Sequence, residues 1–338
     1  MRGMRPSPDL LPAYPSRYNS GSGDAFAGDD FRCVVIKELQ VSELQVSDSF
    51  FPGFRMFDVT TSEATIRCRT GGSGPPLLLL HGSPQTHVMW HKVAPLLADR
   101  FSIVVADLRG YGDSSKPAST PDHEPYTKRA MARDMAEVMT RFGHHTFKVA
   151  GHDRGGRVAH RLALDHAERV ERIAVLDIAP TREMYAHTSD AFARAYWHWF
   201  FLILPEPFPE RMIMADPDAY FSRKSNAKPI PTPFTPEARE EYMRCFRNPA
   251  MVHANCEDYR AAATTDIAHD NADGGKMVEA PLLVIWGKNG AIESCFDALA
   301  LWRLRARTVE GHSLPGGHYL AEQVPVETAD SLGRFFAA

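Results

Sequence analysis

Gly151-His152-Asp153-Arg154-Gly155-Gly156 is the stretch on which the reading of this chain turns. An apolar run, Phe147-Lys148-Val149-Ala150, precedes it. A helix-like run, Arg157-Val158-Ala159-His160-Arg161-Leu162-Ala163-Leu164, follows. The pattern is a strand, a sharp turn and a helix. Small residues two before and two after the central residue suit such a turn, because strand and helix backbones approach too closely there for a side chain. In enzymes with this elbow the central residue is a nucleophile, usually serine. Here it is Asp153.

An aspartate at that point changes the chemistry. A carboxylate attacks carbon without first losing a proton, and it leaves an ester on the protein that water must then hydrolyse. That suits displacement at a saturated carbon, as in dehalogenation or epoxide opening, whereas serine suits attack on a carbonyl. The structural alternative is an aspartate that only caps the following helix.

Working outward, the chain carries further short apolar runs: Leu77-Leu78-Leu79-Leu80, Ile103-Val104-Val105-Ala106, Ile173-Ala174-Val175-Leu176 and Leu282-Leu283-Val284-Ile285. Runs of this kind belong to parallel strands covered on both faces. Upstream, residues 54–59 and 64–69 alternate partly with period two, as an antiparallel edge pair does. Met131, Met135, Val138, Met139 and Phe142 fall on one face of a helix ending near Gly143, a core-packing stripe. The alternation of strand and helix pauses between about 181 and 275, a segment rich in aromatics and prolines with no strand-like run. It reads as a helical cap over the carboxyl ends of the strands, where such sheets place their ligands. Residues 1–52, punctuated by Pro, Ser, Gly and Asp and lacking an apolar signal core, read as a disordered tail.

With 338 residues, 44% of them hydrophobic, the chain can bury a large core. A net charge of -4, from 38 basic and 42 acidic residues, gives no electrostatic case for nucleic acid or an anionic membrane surface. Five cysteines without a Cys-x-x-Cys pair fit reduced thiols in a cytoplasm. The fifteen histidines show no ligand spacing, so neither a metal nor another cofactor is expected.

The elbow and the sequences His81-Gly82-Ser83-Pro84-Gln85, Asp107-Leu108-Arg109-Gly110-Tyr111-Gly112, Leu176-Asp177-Ile178, His198-Trp199, Cys256-Glu257-Asp258-Tyr259-Arg260 and Gly317-His318 occur together in order. In this the chain resembles the haloacetate (fluoroacetate) dehalogenases of the α/β-hydrolase superfamily. The resemblance covers the chain from about Phe54 onward. It implies an α/β fold: a mostly parallel, eight-stranded sheet with helices on both faces and a helical cap inserted after strand 6. The core would be 53–180 and 276–338, and the cap 181–275.

The site expectations follow. An ester needs a base to activate water, and His318, after the last strand, stands where the fold places its histidine; His312 is the competitor. Many relatives carry the third member after the strand 282–285, but that loop reads Trp286-Gly287-Lys288-Asn289-Gly290-Ala291-Ile292-Glu293, without an aspartate. Asp177, closing its own strand, takes the role as it does in the family resembled, with Glu293 as the fallback. Arg154 and Arg157, three apart at a helix N-terminus where cations are disfavoured, call for a compensating anion, and they form a clamp for a substrate carboxylate. A pair of structural ion pairs is the alternative. By resemblance His198, Trp199 and Tyr259 hold the departing halide. The backbone amides of Ser83 and Arg154 are the expected oxyanion donors, with Ser83 replacing a phenylalanine common in the family. The expected reaction converts 2-haloacids such as fluoroacetate and water to the 2-hydroxy acid and halide, in an enzyme that the family suggests is a homodimer. Epoxide hydrolysis using Tyr196, Tyr220 or Tyr259 as proton donors is the alternative chemistry. A ligand-binding shell without turnover is the alternative class.

Overall fold

The computed structural model describes residues 41–44, 49–225 and 232–338. The strands are β1 (Val41–Leu44), β2 (Arg55–Thr60), β3 (Thr65–Gly71), β4 (Pro76–Leu80), β5 (Ser102–Ala106), β6 (Phe147–His152), β7 (Val170–Leu176), β8 (Leu282–Gly287) and β9 (Val309–Leu314). They form one nine-stranded sheet in the order β1-β2-β3-β5-β4-β6-β7-β8-β9. The first three run antiparallel to their neighbours, and from β5 onward all pairs are parallel. Leu77 to Leu80 and Ile173 to Leu176 have no exposed surface, as uninterrupted apolar runs in a sheet covered on both sides should.

The ninth strand corrects the eight-stranded expectation. β1 pairs with β2 through Val41↔Val59 and Leu44↔Met56, within the stretch read as tail, and Phe51 is buried against the Phe54 and His87 rings. Three of the four β1 residues are exposed, so this edge strand is held by backbone pairing and leaves little apolar pattern to read. Residues 1–40 lie outside the described residues.

The helix predicted across the methionine stripe spans Lys128–Arg141. The Thr127 side chain caps it by accepting from the Ala130 amide, and Gly143 follows at φ +81°. Between β7 and β8 the named elements among the described residues are all helices, from Thr181–Ala186 to Thr265–Ala272. β4 lies between β5 and β6, so the connection after β4 runs toward β5 on one side and that after β6 toward β7 on the other. The loops after β4 and β6 therefore flank a crevice at the carboxyl edge, the position at which open parallel sheets bind ligands.

Candidate active site

The glycines flanking Asp153 are fixed by contact. A Cβ on Gly151 would stand 2.3 Å from the Gly155 carbonyl oxygen, and one on Gly155 would stand 2.4 Å from that of His81. The turn so compressed leaves Asp153 at φ +46°, ψ -113°, a strained conformation of the kind that costs about 1–3 kcal/mol and persists where surrounding structure imposes it. Its side chain makes no capping bond to the helix Arg154–Asp165, which removes the capping alternative. Instead Oδ1 accepts the Ser83 amide at 3.0 Å, from the loop after β4.

Asp177 ends β7, also at positive φ, +50°, and is fully buried. Its Oδ1 accepts the Gly287 amide at 2.9 Å, and its Oδ2 meets His318 Nδ1 at 2.6 Å. The backbone donor fixes one oxygen and leaves the other to orient the imidazole. Burial disfavours a charged His318, but the Asp177 hydrogen bond and the charges of Asp177 and Asp153 outweigh it and raise the pKa above the ordinary 6.5. His312 points elsewhere, with Nε2 3.0 Å from Ser331 Oγ. Glu293 is engaged by the Trp286 indole.

Asp153, His318, Tyr196, His198 and Ser83 line one cavity of about 400 Å³. Arg154, Arg157, Trp199 and Tyr259 lie buried behind that lining. The Asp153 carboxyl is held far below the usual range: burial works against the charge, but His318, His152, Arg154 and Arg157 overcome it.

The two arginines differ. Arg154 gives Nε and Nη2 to the two Asp258 oxygens at 2.8 and 2.7 Å, leaving Nη1 without a partner; it stacks 4.1 Å over the Tyr259 ring. For Arg154 the ion-pair alternative is therefore partly right. Arg157 has no carboxylate in salt-bridge contact among the described residues. Its Nη1 donates to the Ala179 carbonyl and the Thr181 hydroxyl, and Nε is unpartnered. Burial and the like charge of Arg154 lower its pKa, with Asp153 offsetting part of that cost. A buried cation in this position favours a further anion.

His198 Nδ1, Trp199 Nε1 and Tyr259 Oη are all buried without a hydrogen-bond partner. Their rings pack together, with Tyr259 5.9 Å from His198 and 6.2 Å from Trp199. Buried donors rarely go unpaired in folded proteins, and here three of them fall in one cluster of aromatic rings. Burial drives the His198 pKa well down, so it would donate as a neutral imidazole.

Three contributors escaped the sequence reading. Asp258 was quoted only as part of a motif, yet it gathers Arg154, Tyr111 (2.6 Å) and Lys128 around one carboxylate. Lys224, at the end of the cap helix Pro217–Lys224, enters the cavity and donates to Ser83 Oγ. Asn255 accepts from that same hydroxyl. The position of Asp258 directly before Tyr259 was the one available signal; nothing local marks Lys224.

An aspartate at the elbow, a histidine after the last strand and a buried acid hydrogen-bonded to it, all at the carboxyl edge of one sheet, have the arrangement of a hydrolase site. The alpha/beta hydrolase fold family matches residues 75–322, and the chain belongs to it. It is 46% identical over 293 residues to a fluoroacetate dehalogenase of Burkholderia sp., covering 85% of this chain and 95% of the relative. A soluble epoxide hydrolase of Corynebacterium sp. strain C12 is 31% identical over 304 residues, 88% and 98% of the two chains. A crystal structure of a protein described as an α/β hydrolase, from Nostoc sp. PCC 7120, superposes with a TM-score of 0.81 at 54% identity, over 84% of this chain and 98% of that one. Among the described residues no helix is long and apolar enough to cross a membrane.

Proposed function

We propose that this protein hydrolyses short 2-haloacids, fluoroacetate and chloroacetate among them, through an ester on Asp153. The observation that carries this reading is Arg157: a buried guanidinium beside the nucleophile, without a protein carboxylate of its own. A 2-haloacid supplies that anion and, held by it, presents the carbon next to its carboxylate to Asp153. The 46% identity to a fluoroacetate dehalogenase supports the same reading.

Since Oδ1 is held by the Ser83 amide, Oδ2 attacks the halogen-bearing carbon. The carbon–halogen bond breaks with its electron pair, and the halide leaves toward His198, Trp199 and Tyr259. Water then adds to the ester carbonyl as His318 takes its proton. The amides of Ser83 and Arg154 receive the oxyanion, and collapse returns Asp153 and releases the hydroxy acid. Asp177 holds the imidazole and stabilises it when protonated.

The test is halide release from fluoroacetate, chloroacetate and a neutral epoxide, with Asp153→Ala as the control. Release from both acids that vanishes in the variant is expected. Turnover of the epoxide alone would overturn the reading in favour of epoxide opening, the second chemistry, for which the Corynebacterium relative and Tyr196 in the cavity wall speak.

Two further outcomes are expected. Fluoride is the stronger hydrogen-bond acceptor, so Trp199→Phe should lower kcat for fluoroacetate about 10²-fold, the scale for one transition-state donor, and that for chloroacetate less. Steady-state kcat compared across the two halides checks this. For pH, alkylation needs only ionised Asp153, while ester hydrolysis needs neutral His318. As pH falls through the histidine pKa, halide release should change from steady turnover to a burst of about one equivalent per site followed by a slow phase. In the ester the Asp153 charge is gone, and with it one cause of the raised histidine pKa, so the acid limb of kcat should lie below the pKa titrated in the free enzyme. Stopped-flow halide detection against pH, beside an NMR titration of His318, measures both.

A further inference from the structure

The cavity exceeds what a two-carbon acid fills. At about 400 Å³, against roughly 10–15 Å³ of comparable space for one water, a molecule of five heavy atoms leaves most of it empty. The surplus has a polar wall beside the nucleophile. The Ser83 amide is 3.0 Å from Asp153 Oδ1, and the Ser83 hydroxyl is held between two buried cap residues, accepting from Lys224 Nζ and donating to Asn255 Oδ1. Lys224 is 6% exposed and Asn255 fully buried. Asn255 Nδ2 has no partner, and Ser83 is the one hydrogen-bond acceptor Lys224 meets among the described residues. Its ammonium otherwise lies 5.2 Å over the Tyr259 ring.

The balance of this cluster sets the ligand chemistry. Its hydroxyl proton and its amide oxygen are already used on each other. What remains is N–H: the unused protons of the ammonium and those of the Asn255 amide. Burial lowers the Lys224 pKa to about 7, with the charges of Asp153 and Asp258 offsetting part of that cost, and a bound anion favours its charged form. A cluster whose free groups are all N–H donors matches a group that only accepts, which is a carboxylate rather than a hydroxyl or an amine. We propose that Ser83, Lys224 and Asn255 form a second carboxylate subsite, so that the enzyme takes four-carbon 2-halodicarboxylates such as 2-chlorosuccinate. The proposal rests on the haloacid reading for its chemistry. The first carboxylate meets Arg157 and Arg154, C2 meets Asp153, and the far carboxylate reaches along the cavity to Lys224. Displacement runs as for the shorter acids: the Asp153 oxygen bonds to C2, chloride leaves with the bond pair, and water hydrolyses the ester to the hydroxydicarboxylate.

The experiment compares kcat/KM for 2-chlorosuccinate, 2-chlorobutanoate of equal chain length and chloroacetate, and measures succinate and butanoate binding by calorimetry. Wild type, Lys224→Met and Lys224→Arg are used. The wild type is expected to favour chlorosuccinate over chlorobutanoate, and succinate over butanoate, by about tenfold or more, the range of a charge-assisted hydrogen bond. Lys224→Met should remove both preferences, lowering kcat/KM for chlorosuccinate about tenfold more than for chloroacetate, and Lys224→Arg should restore part of them. Succinate bound no more tightly than butanoate overturns the subsite even where chloroacetate is hydrolysed. So does a Lys224→Met loss as large for chloroacetate as for chlorosuccinate. Should no haloacid release halide while the lysine-dependent succinate preference holds, the haloacid reading fails and the subsite stands.

Discussion

Replacing His318 by asparagine should leave a protein that releases about one halide per active site and then stops. The first half of the proposed reaction uses only the Asp153 carboxylate, kept ionised by its cationic surroundings, so alkylation proceeds. The second half needs a base on water, and the neighbouring His152 does not replace it: its ring lies 4.5 Å away, with Nε2 turned toward the His318 carbonyl and the imidazole held neutral by burial. Steady turnover should fall about 10³–10⁴-fold, at the upper end of what a positioned general base contributes, and the peptide containing Asp153 should gain the mass of the substrate's carboxymethyl group. Rapid-quench halide measurement and mass spectrometry of the elbow peptide check both halves. Continued turnover without an ester would mean that water, not Asp153, displaces the halide.

Asp258→Asn should damage fold and function together. In the native protein Asp258 is fully buried between Arg154 and Lys128, and although burial opposes its charge, those two cations hold its carboxyl well below the usual range. Removing the anion leaves two buried cations, with Asp266 the one further carboxylate near Lys128 among the described residues, at 3.4 Å. Breaking a buried pair in this way costs about 3–5 kcal/mol. The catalytic effect follows from geometry. Asp258 takes two nitrogens of Arg154 and so aims the third, and a clamp released from that hold should lose about 10²-fold in kcat/KM, with KM raised more than kcat is lowered. Urea unfolding gives the first effect and steady-state kinetics on a sample verified as folded gives the second. A variant of unchanged KM would show that Arg154 is a structural ion pair and that Arg157 alone meets the carboxylate.

The catalytic edge could be read from the sequence where a local pattern has one structural solution. Gly151, Gly155 and Gly156 around Asp153 admit only the compressed turn. Asp177 closes a recognisable strand at the same edge, whereas the family resemblance was needed to prefer it to Glu293 and His318 to His312; the structure brings Asp177 and His318 together. The contacts that distinguish the two arginines could not be read this way, since Asp258 reaches Arg154 across 104 positions. Lys224 is a similar case. It ends a short polar helix in which a lysine facing water would look the same, and only the packing of the cap against the loop after β4 turns it inward. β1 was missed for a different reason: an exposed edge strand is specified by backbone hydrogen bonds, to which side-chain periodicity is blind.

The central claim is that an oxygen of Asp153 becomes the hydroxyl oxygen of the product. A single turnover in heavy-oxygen water, with enzyme in excess over chloroacetate, tests it directly. The account predicts glycolate with an ordinary hydroxyl oxygen and an Asp153 carboxylate that has acquired the heavy one. Heavy oxygen in the glycolate hydroxyl with an unlabelled Asp153 would contradict it.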